Sequence, residues 1–277
     1  MKLLKNTIRL MKRRPSALLF IGVVMLVYAI IDSYNPILPI FLGLGSITEG
    51  GISEGILSVL QFMIDPEIIP MIILLIFCVS GIGAVVLGFV FSGYCYTINN
   101  GIAGRKKFKG ELIAGLKKYF LKLTWISFRV IFIGILLIIF LLVASVPAVI
   151  ITNAADISEP KLLAAALLID VITVGVIFLG SMYFRIYMFF WYPAAVNQAE
   201  RPFTAGVRAA NRDFWGITGR FLTFDIFFIV AAFILLNINS SLYRIIGTWI
   251  FGTLYVVLFS AYIFFAFKIN NTAKKDD

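Results

Sequence analysis

The sequence predicts an all-α, polytopic membrane protein with six transmembrane helices, on the basis of its composition, its apolar runs and the placement of its charges. Of its 277 residues, 61% are hydrophobic and only 14% are charged, whereas about 25% charged residues is usual in a soluble domain. Residues 68–104, 130–155 and 245–267 contain no charged side chain. Each run is longer than the roughly 20 residues that a helix needs to cross a bilayer.

Three further apolar segments complete the six predicted spans, at approximately residues 15–31, 162–197 and 221–239. The first follows a basic N-terminus, which is also the general form of a signal peptide. However, residues 32–36 offer no small-x-small cleavage site. We therefore expect the first helix to be retained and residues 1–277 to form a single integral membrane domain.

Basic residues flank the spans on one side of the predicted membrane. They cluster in residues 2–14, 105–122, 201–220 and 268–275, whereas the opposite connections are short or acidic and residues 32–67 contain neither Lys nor Arg. Because positively charged loops stay in the cytoplasm, we predict a protein of the cell (plasma) membrane with both termini cytoplasmic. The net charge of +10 then indicates anionic lipid of the inner leaflet as a partner, rather than nucleic acid.

Three short amphipathic stretches lead into spans, beginning at Lys5, Phe108 and Phe203. In the second stretch, apolar residues fall on one helical face, while Glu111 and Lys122 fall on another. This pattern is typical of interfacial helices, which lie in the plane of the headgroups, here on the cytoplasmic side. Two roles are open for them: a topological anchor, or an elbow that docks a partner or senses lipid.

Two offsets indicate an internal repeat. An offset of 95 residues pairs Phe108 with Phe203. A looser offset of about 105 residues places Pro15 beside Phe120. Such self-similarity predicts a tandem repeat of two spans, with every copy in the same orientation. The predicted repeat units cover residues 1–104, 105–200 and 201–277.

Small residues recur at every fourth position of the predicted second span, at Ser80, Ala84, Gly88 and Ser92. Small side chains at this spacing allow two helix backbones to approach closely, and van der Waals packing of this kind holds helices together in lipid. The four residues are therefore predicted to form a helix-packing face.

Four ionisable residues lie within the predicted spans: Arg129, Asp170, Arg185 and Asp225. A charge that faces lipid at the bilayer centre costs about 2.5 kcal/mol or more, so we expect these side chains to face the bundle interior, a cavity or one another. Asp225 is predicted to pair with Arg129 or Arg185, which lie at comparable depth. This set is either a network that fixes helix register or an intramembrane polar site, and Asp170 has no evident basic partner at its depth.

The chain lacks the residues of several common catalytic classes. It contains no histidine, which excludes His-based metal sites and Ser-His-Asp hydrolases. A phosphate-binding loop, a dinucleotide-binding fingerprint and a CxxC motif are also absent from the sequence. We therefore expect no enzyme activity, no cofactor and no metal.

Residues 189–196 read FFWYPAAV, an aromatic helix end with a proline. Glu200, a Gly-x-x-x-Ala helix in residues 205–211 and an aromatic pair at 214–215 follow. In this combination the chain resembles the membrane domain of glycerophosphoryl diester phosphodiesterases and related uncharacterised bacterial and archaeal families. The resemblance implies six helices with interfacial elbows and no catalytic residues, because activity in that group belongs to a fused soluble domain that residues 1–277 do not contain.

These features favour a non-enzymatic accessory or scaffold subunit that binds lipid, a membrane protein partner or a second copy of itself. The alternative is a transporter or channel for a small or lipidic solute, in which the four intramembrane charges would line the path. The connection at residues 32–67 is unusually apolar. We expect it either to extend the first helix or to lie on the outer leaflet, with a short amphipathic helix at residues 52–64.

Overall fold

The computed structural model describes residues 2–34, 66–158, 160–197, 201–238 and 240–272. Within these ranges the chain forms eight α-helices and no strand, which confirms the predicted all-α class. The helices are α1 (Lys2–Arg13), α2 (Pro15–Tyr34), α3 (Ile69–Ile102), α4 (Glu111–Ser158), α5 (Pro160–Val196), α6 (Pro202–Arg212), α7 (Phe214–Leu236) and α8 (Ser241–Thr272).

Six of these helices are long and apolar enough to cross a membrane, so the predicted number of spans is confirmed and the chain is a multi-pass integral membrane protein. The amphipathic helix predicted at residues 52–64 lies outside the described residues. The six spans are Pro15–Ser33, Ile69–Ile102, Glu111–Thr152, Leu163–Val196, Phe214–Leu236 and Ser241–Asn271.

Two of the three predicted lead-in stretches form short helices that are separate from the spans they precede. The break between α1 and α2 falls at Arg14, because a residue before proline avoids the helical conformation and Pro15 is well suited to start a new helix. The break between α6 and α7 falls at Asp213, whose φ of −138° and ψ of 45° are not helical.

The second lead-in departs from the prediction, because α4 runs without a break from Glu111 into its span. Residues 111–125 contain no proline, and most are good helix formers, so nothing interrupts the helix there. The helix has 48 residues, or about 72 Å of length, more than twice the roughly 30 Å of a hydrocarbon core. Its charged N-terminal turns, with Lys117 and Lys122, are therefore the part that headgroups or water can solvate.

The helices are distributed over two compact units, which divide α3, α4 and α5 between them. The first unit comprises Met1–Pro36, Ala84–Ser127 and Ile186–Asp277, and the second comprises Ile37–Gly83 and Phe128–Arg185.

In the first unit, α8 packs along α2 and also contacts α1, α6 and α7. The hydroxyls of Tyr94 on α3 and Ser260 on α8 share a hydrogen bond of 2.6 Å, and Lys268 donates to the carbonyl oxygen of Ile102 at 3.1 Å. The core of this unit therefore forms around α8. Its fully buried large apolar side chains include Leu123, Ile126, Phe190, Phe221 and Phe267.

Aromatic rings contribute to the packing of the second unit. The ring centroid of Phe77 on α3 lies 5.2 Å from that of Phe132 on α4, and within α4 Phe128 stacks on Phe132 at 5.9 Å. On the same helix, Gly134 leaves room for the ring of Phe184, since a Cβ atom there would lie 3.1 Å from the ring. Aromatic pairs at these separations contribute about 0.5–1.5 kcal/mol beyond the area that they bury.

Candidate functional site

An open basic pocket of about 350 Å³ lies in the first unit, where the α1–α2 break meets the connection between α3 and α4. Of the described residues that line it, four are basic and none is acidic. The lining residues are Arg13, Arg14, Gly101, Gly104, Arg105 and Lys107.

The turn that ends α3 positions one wall of this pocket. Gly104 has a φ of +70°, a left-handed conformation that glycine adopts without steric cost. Its backbone N–H donates to the carbonyl oxygen of Gly101 at 3.2 Å, and that of Arg105 donates to Asn100 at 3.0 Å. This pair of bonds is a Schellman motif, which stops the helix and satisfies its last carbonyl groups. Arg105 therefore stands immediately after the helix end, with its backbone fixed.

Arg14, at the break between α1 and α2, forms the buried floor of the site. Only 2% of its surface is exposed, so its charge must be compensated by protein atoms. Its Nη1 donates to Glu111 Oε2 at 2.5 Å, and its Nη2 donates to the carbonyl oxygen of Arg105 at 2.5 Å. The guanidinium thus joins the α1–α2 break to the end of α3 and to the start of α4.

Glu111 completes this buried network as the first residue of α4. It follows Gly110, whose φ is +83°, and it is 3% exposed. Its second oxygen, Oε1, accepts a hydrogen bond from Asn100 Nδ2 at 2.8 Å. A carboxylate in the first turn of a helix is also favoured by the helix dipole. Both carboxylate oxygens therefore accept a hydrogen bond, one from the charged Arg14 and the other from the neutral Asn100.

The charge that remains open to the pocket is positive. Arg14 and Glu111 compensate each other, whereas Arg13, Arg105 and Lys107 have exposed side chains. Arg105 Nη1 donates to Asn100 Oδ1 at 3.1 Å, which orients one guanidinium and leaves its other donors available. An arginine with free donors can bind a phosphate or carboxylate group through two parallel hydrogen bonds. The arrangement is suited to an anion.

The length of α2 bears on the depth at which the pocket would lie. This helix has 20 residues, which corresponds to about 30 Å, the thickness of a hydrocarbon core. Because α2 begins at Pro15, a membrane-spanning α2 would place the α1–α2 break, and with it the basic pocket, near the lipid headgroups.

A second cavity in the same unit has a different chemistry. It has a volume of about 320 Å³ and lies between α2 and α8. Trp249 Nε1, which borders it, donates to the carbonyl oxygen of Gly22 at 2.8 Å, so that indole is already satisfied. The cavity offers apolar contact and no charge. Its lining residues are Leu18, Leu19, Gly22, Val23, Leu26, Trp249, Ile250, Thr253 and Leu254.

The predicted packing residues Ser80, Ala84, Gly88 and Ser92 are all buried. At Gly88 an added Cβ atom would lie 2.9 Å from the Cα atom of Thr124 on α4. In the first unit, α3 and α4 therefore approach at backbone distance at Gly88.

The four predicted intramembrane charges are half-buried. Arg129, Asp170 and Arg185 belong to the second unit and Asp225 to the first. The carboxylate of Asp170 accepts from the hydroxyl of Thr152, which lies 3.2 Å from each of its oxygens. This hydroxyl is a partner that the sequence did not indicate. The pairing of Asp225 with one of the two arginines stays a prediction.

Sequence reasoning missed the buried network. It grouped Arg14 with the basic residues that flank the first span, and it placed Glu111 on the polar face of a lead-in helix, whereas the structure buries both. Local signals for the turn and the break were present in Gly104 and Pro15. The contacts themselves join residues as many as 97 positions apart, and no local pattern reports them.

Among the described residues, no group of three His, Cys, Asp or Glu side chains could hold a metal ion. Comparison with known proteins finds no match: no family model fits the sequence, and no curated protein or solved structure is significantly similar to it. The resemblance to the membrane domain of glycerophosphoryl diester phosphodiesterases therefore stays an expectation from the sequence.

Proposed function

We propose that this chain is a non-enzymatic accessory or scaffold protein of the cell membrane that binds anionic lipid. The observation that carries the proposal is the basic pocket, which is lined by the exposed cations of Arg13, Arg105 and Lys107 and by the buried Arg14. We propose that this pocket lies at the level of the headgroups. In the proposed orientation both termini are cytoplasmic, and the pocket faces the anionic inner leaflet.

Electrostatics and preorganisation both support lipid binding at this site. Each Lys or Arg near an anionic membrane surface contributes about 1 kcal/mol of attraction. The backbone beside Arg105 is fixed by the turn at Gly104 and by the bond from Arg14, so this backbone loses little freedom when a ligand binds. These features favour a defined site over a diffuse attraction between basic loops and the membrane.

The scaffold part of the proposal rests on the sequence. The chain has no histidine and none of the common catalytic motifs, and the basic segments at span ends suit docking or anchoring. A membrane protein partner or a second copy of the chain would share the plane of the membrane with the bound lipid.

Extraction into native-lipid particles, followed by analysis of the retained lipids, tests the proposal. The test variant is Arg105→Gln with Lys107→Gln. The matched control is Lys106→Gln with Lys109→Gln, because these exposed lysines lie in the same connection but do not line the pocket. We expect the wild type and the control to be enriched in anionic lipid over the bulk membrane, and the test variant to lose that enrichment. Equal enrichment in all three proteins would refute lipid binding at this pocket.

A further inference from the structure

The charge and shape of the basic pocket define its ligand more narrowly than anionic lipid. Three side chains, Arg13, Arg105 and Lys107, carry charges that no carboxylate lining the pocket compensates. A phosphodiester headgroup has one negative charge and two free phosphate oxygens, so it would leave much of this charge without a partner. A phosphomonoester carries a charge of about −1.5 to −2 at pH 7 and has three free oxygens.

The size of the pocket is compatible with this group. A volume of about 350 Å³ falls within the range of ligand sites, about 300 to 1,000 Å³. A terminal phosphate fits inside it, and because the pocket is open, the rest of the ligand can extend outwards.

We propose that the basic pocket selects a terminal phosphomonoester, bound by Arg13, Arg105 and Lys107, with the buried Arg14–Glu111 pair holding these cations in position. The inference rests on the proposed lipid binding and names its ligand class. A phosphomonoester reaches the site either as a lipid headgroup or as a free phosphate, and both sources share this chemistry.

Titration of the full-length protein in detergent with two lipids of identical acyl chains separates the charge classes. The probes are phosphatidic acid, a phosphomonoester, and phosphatidylglycerol, a phosphodiester, with retained lipid counted by native mass spectrometry. Phosphatidic acid carries up to one more negative charge than phosphatidylglycerol, and this charge predicts about fivefold tighter binding of phosphatidic acid. The variant Arg105→Gln with Lys107→Gln should lose this preference, and the control Lys106→Gln with Lys109→Gln should keep it.

A change of pH provides an independent readout, because the second pKa of a phosphomonoester is about 6. The chain has no histidine, the side chain whose ordinary charge change falls between pH 5 and 8. The ratio of the affinities for phosphatidic acid and phosphatidylglycerol should therefore fall towards one as the pH is lowered from 7.5 to 5, because the phosphomonoester gains a proton. A preference that is the same at both pH values would count against a phosphomonoester. The charged groups of the site are Arg13, Arg14, Arg105, Lys107 and Glu111.

The remaining outcomes distinguish the two proposals and the two sources. Equal binding of both lipids, lost in the pocket variant, would overturn the selection and leave lipid binding intact. Unchanged binding of both lipids in the pocket variant would overturn both proposals. Displacement of phosphatidic acid by an equimolar amount of glycerol 3-phosphate would support the phosphomonoester class and assign it to a free phosphate, whereas resistance to displacement would support a lipid.

Discussion

Arg14 and Glu111 show how two side chains that favour water come to lie inside a membrane protein. Removal of either charge from water costs several kcal/mol, and the loss is recovered only where geometry and additional hydrogen bonds are good. Here the carboxylate binds both Arg14 and Asn100, and the guanidinium binds both the carboxylate and the carbonyl oxygen of Arg105. The pair therefore fixes three chain segments in one place, which is its contribution to the site.

Glu111→Gln tests this role of the ion pair. Glutamine keeps the size of the side chain and can still accept from Asn100, but it leaves the Arg14 charge buried without a counter-charge. We expect a loss of about 3–5 kcal/mol in the free energy of unfolding, measured by thermal unfolding in detergent. Lys117→Gln, which removes a charge at an exposed position of the same helix, should alter stability by about 0.5 kcal/mol or less. Equal melting temperatures for the two variants would contradict the account.

At the scale of the elements, α2 and α7 are each preceded by a short helix and a break. Under the offsets of about 105 and 95 residues, the breaks at Arg14 and Asp213 fall opposite Tyr119 and Lys118, neighbours in α4. The sequence did not reveal that α4 stays continuous at these positions, because a lead-in helix and the next span differ little in local preference. The tandem repeat itself stays a prediction.

The packing of α3 against α4 depends on Gly88. A Cβ atom there would lie 2.9 Å from the Cα atom of Thr124, whereas one at Gly81 on the same helix would have nothing within 4 Å. Gly88→Ala should therefore force the helices apart, with a loss of about 1–3 kcal/mol. Gly81→Ala should be neutral or stabilising by about 0.5–1 kcal/mol, because alanine favours a helix over glycine. Thermal unfolding of the two variants side by side checks this, and a Gly88→Ala protein as stable as wild type would disprove the close approach.

At the scale of the whole molecule, composition, the apolar runs and the placement of charges were sufficient to predict the class and the number of spans. The charge-free run at residues 68–104 corresponds closely to α3 (Ile69–Ile102), because apolar length is a local property of the chain. The division into two units depends instead on contacts between distant segments, and so does the basic pocket. The individual basic residues were visible in the sequence, but their convergence on one cavity was not.

The distribution of charge supports the proposed orientation of the protein in the membrane. The basic residues lie at alternate span ends, and one group of them surrounds a cavity where α2 begins. Attraction between these groups and an anionic leaflet would orient the whole protein. The pocket would add one site with defined geometry.

Photo-crosslinking of a phosphatidic acid that carries its reactive group beside the phosphate tests lipid binding at the pocket most directly. We expect labelled peptides that contain Arg13 or residues 104–107. Labelling should be lost in the variant Arg105→Gln with Lys107→Gln and retained in the Lys106→Gln with Lys109→Gln control. Labelling spread evenly over the basic segments at residues 117–122 and 208–220, and unchanged by the pocket variant, would contradict lipid binding at the pocket.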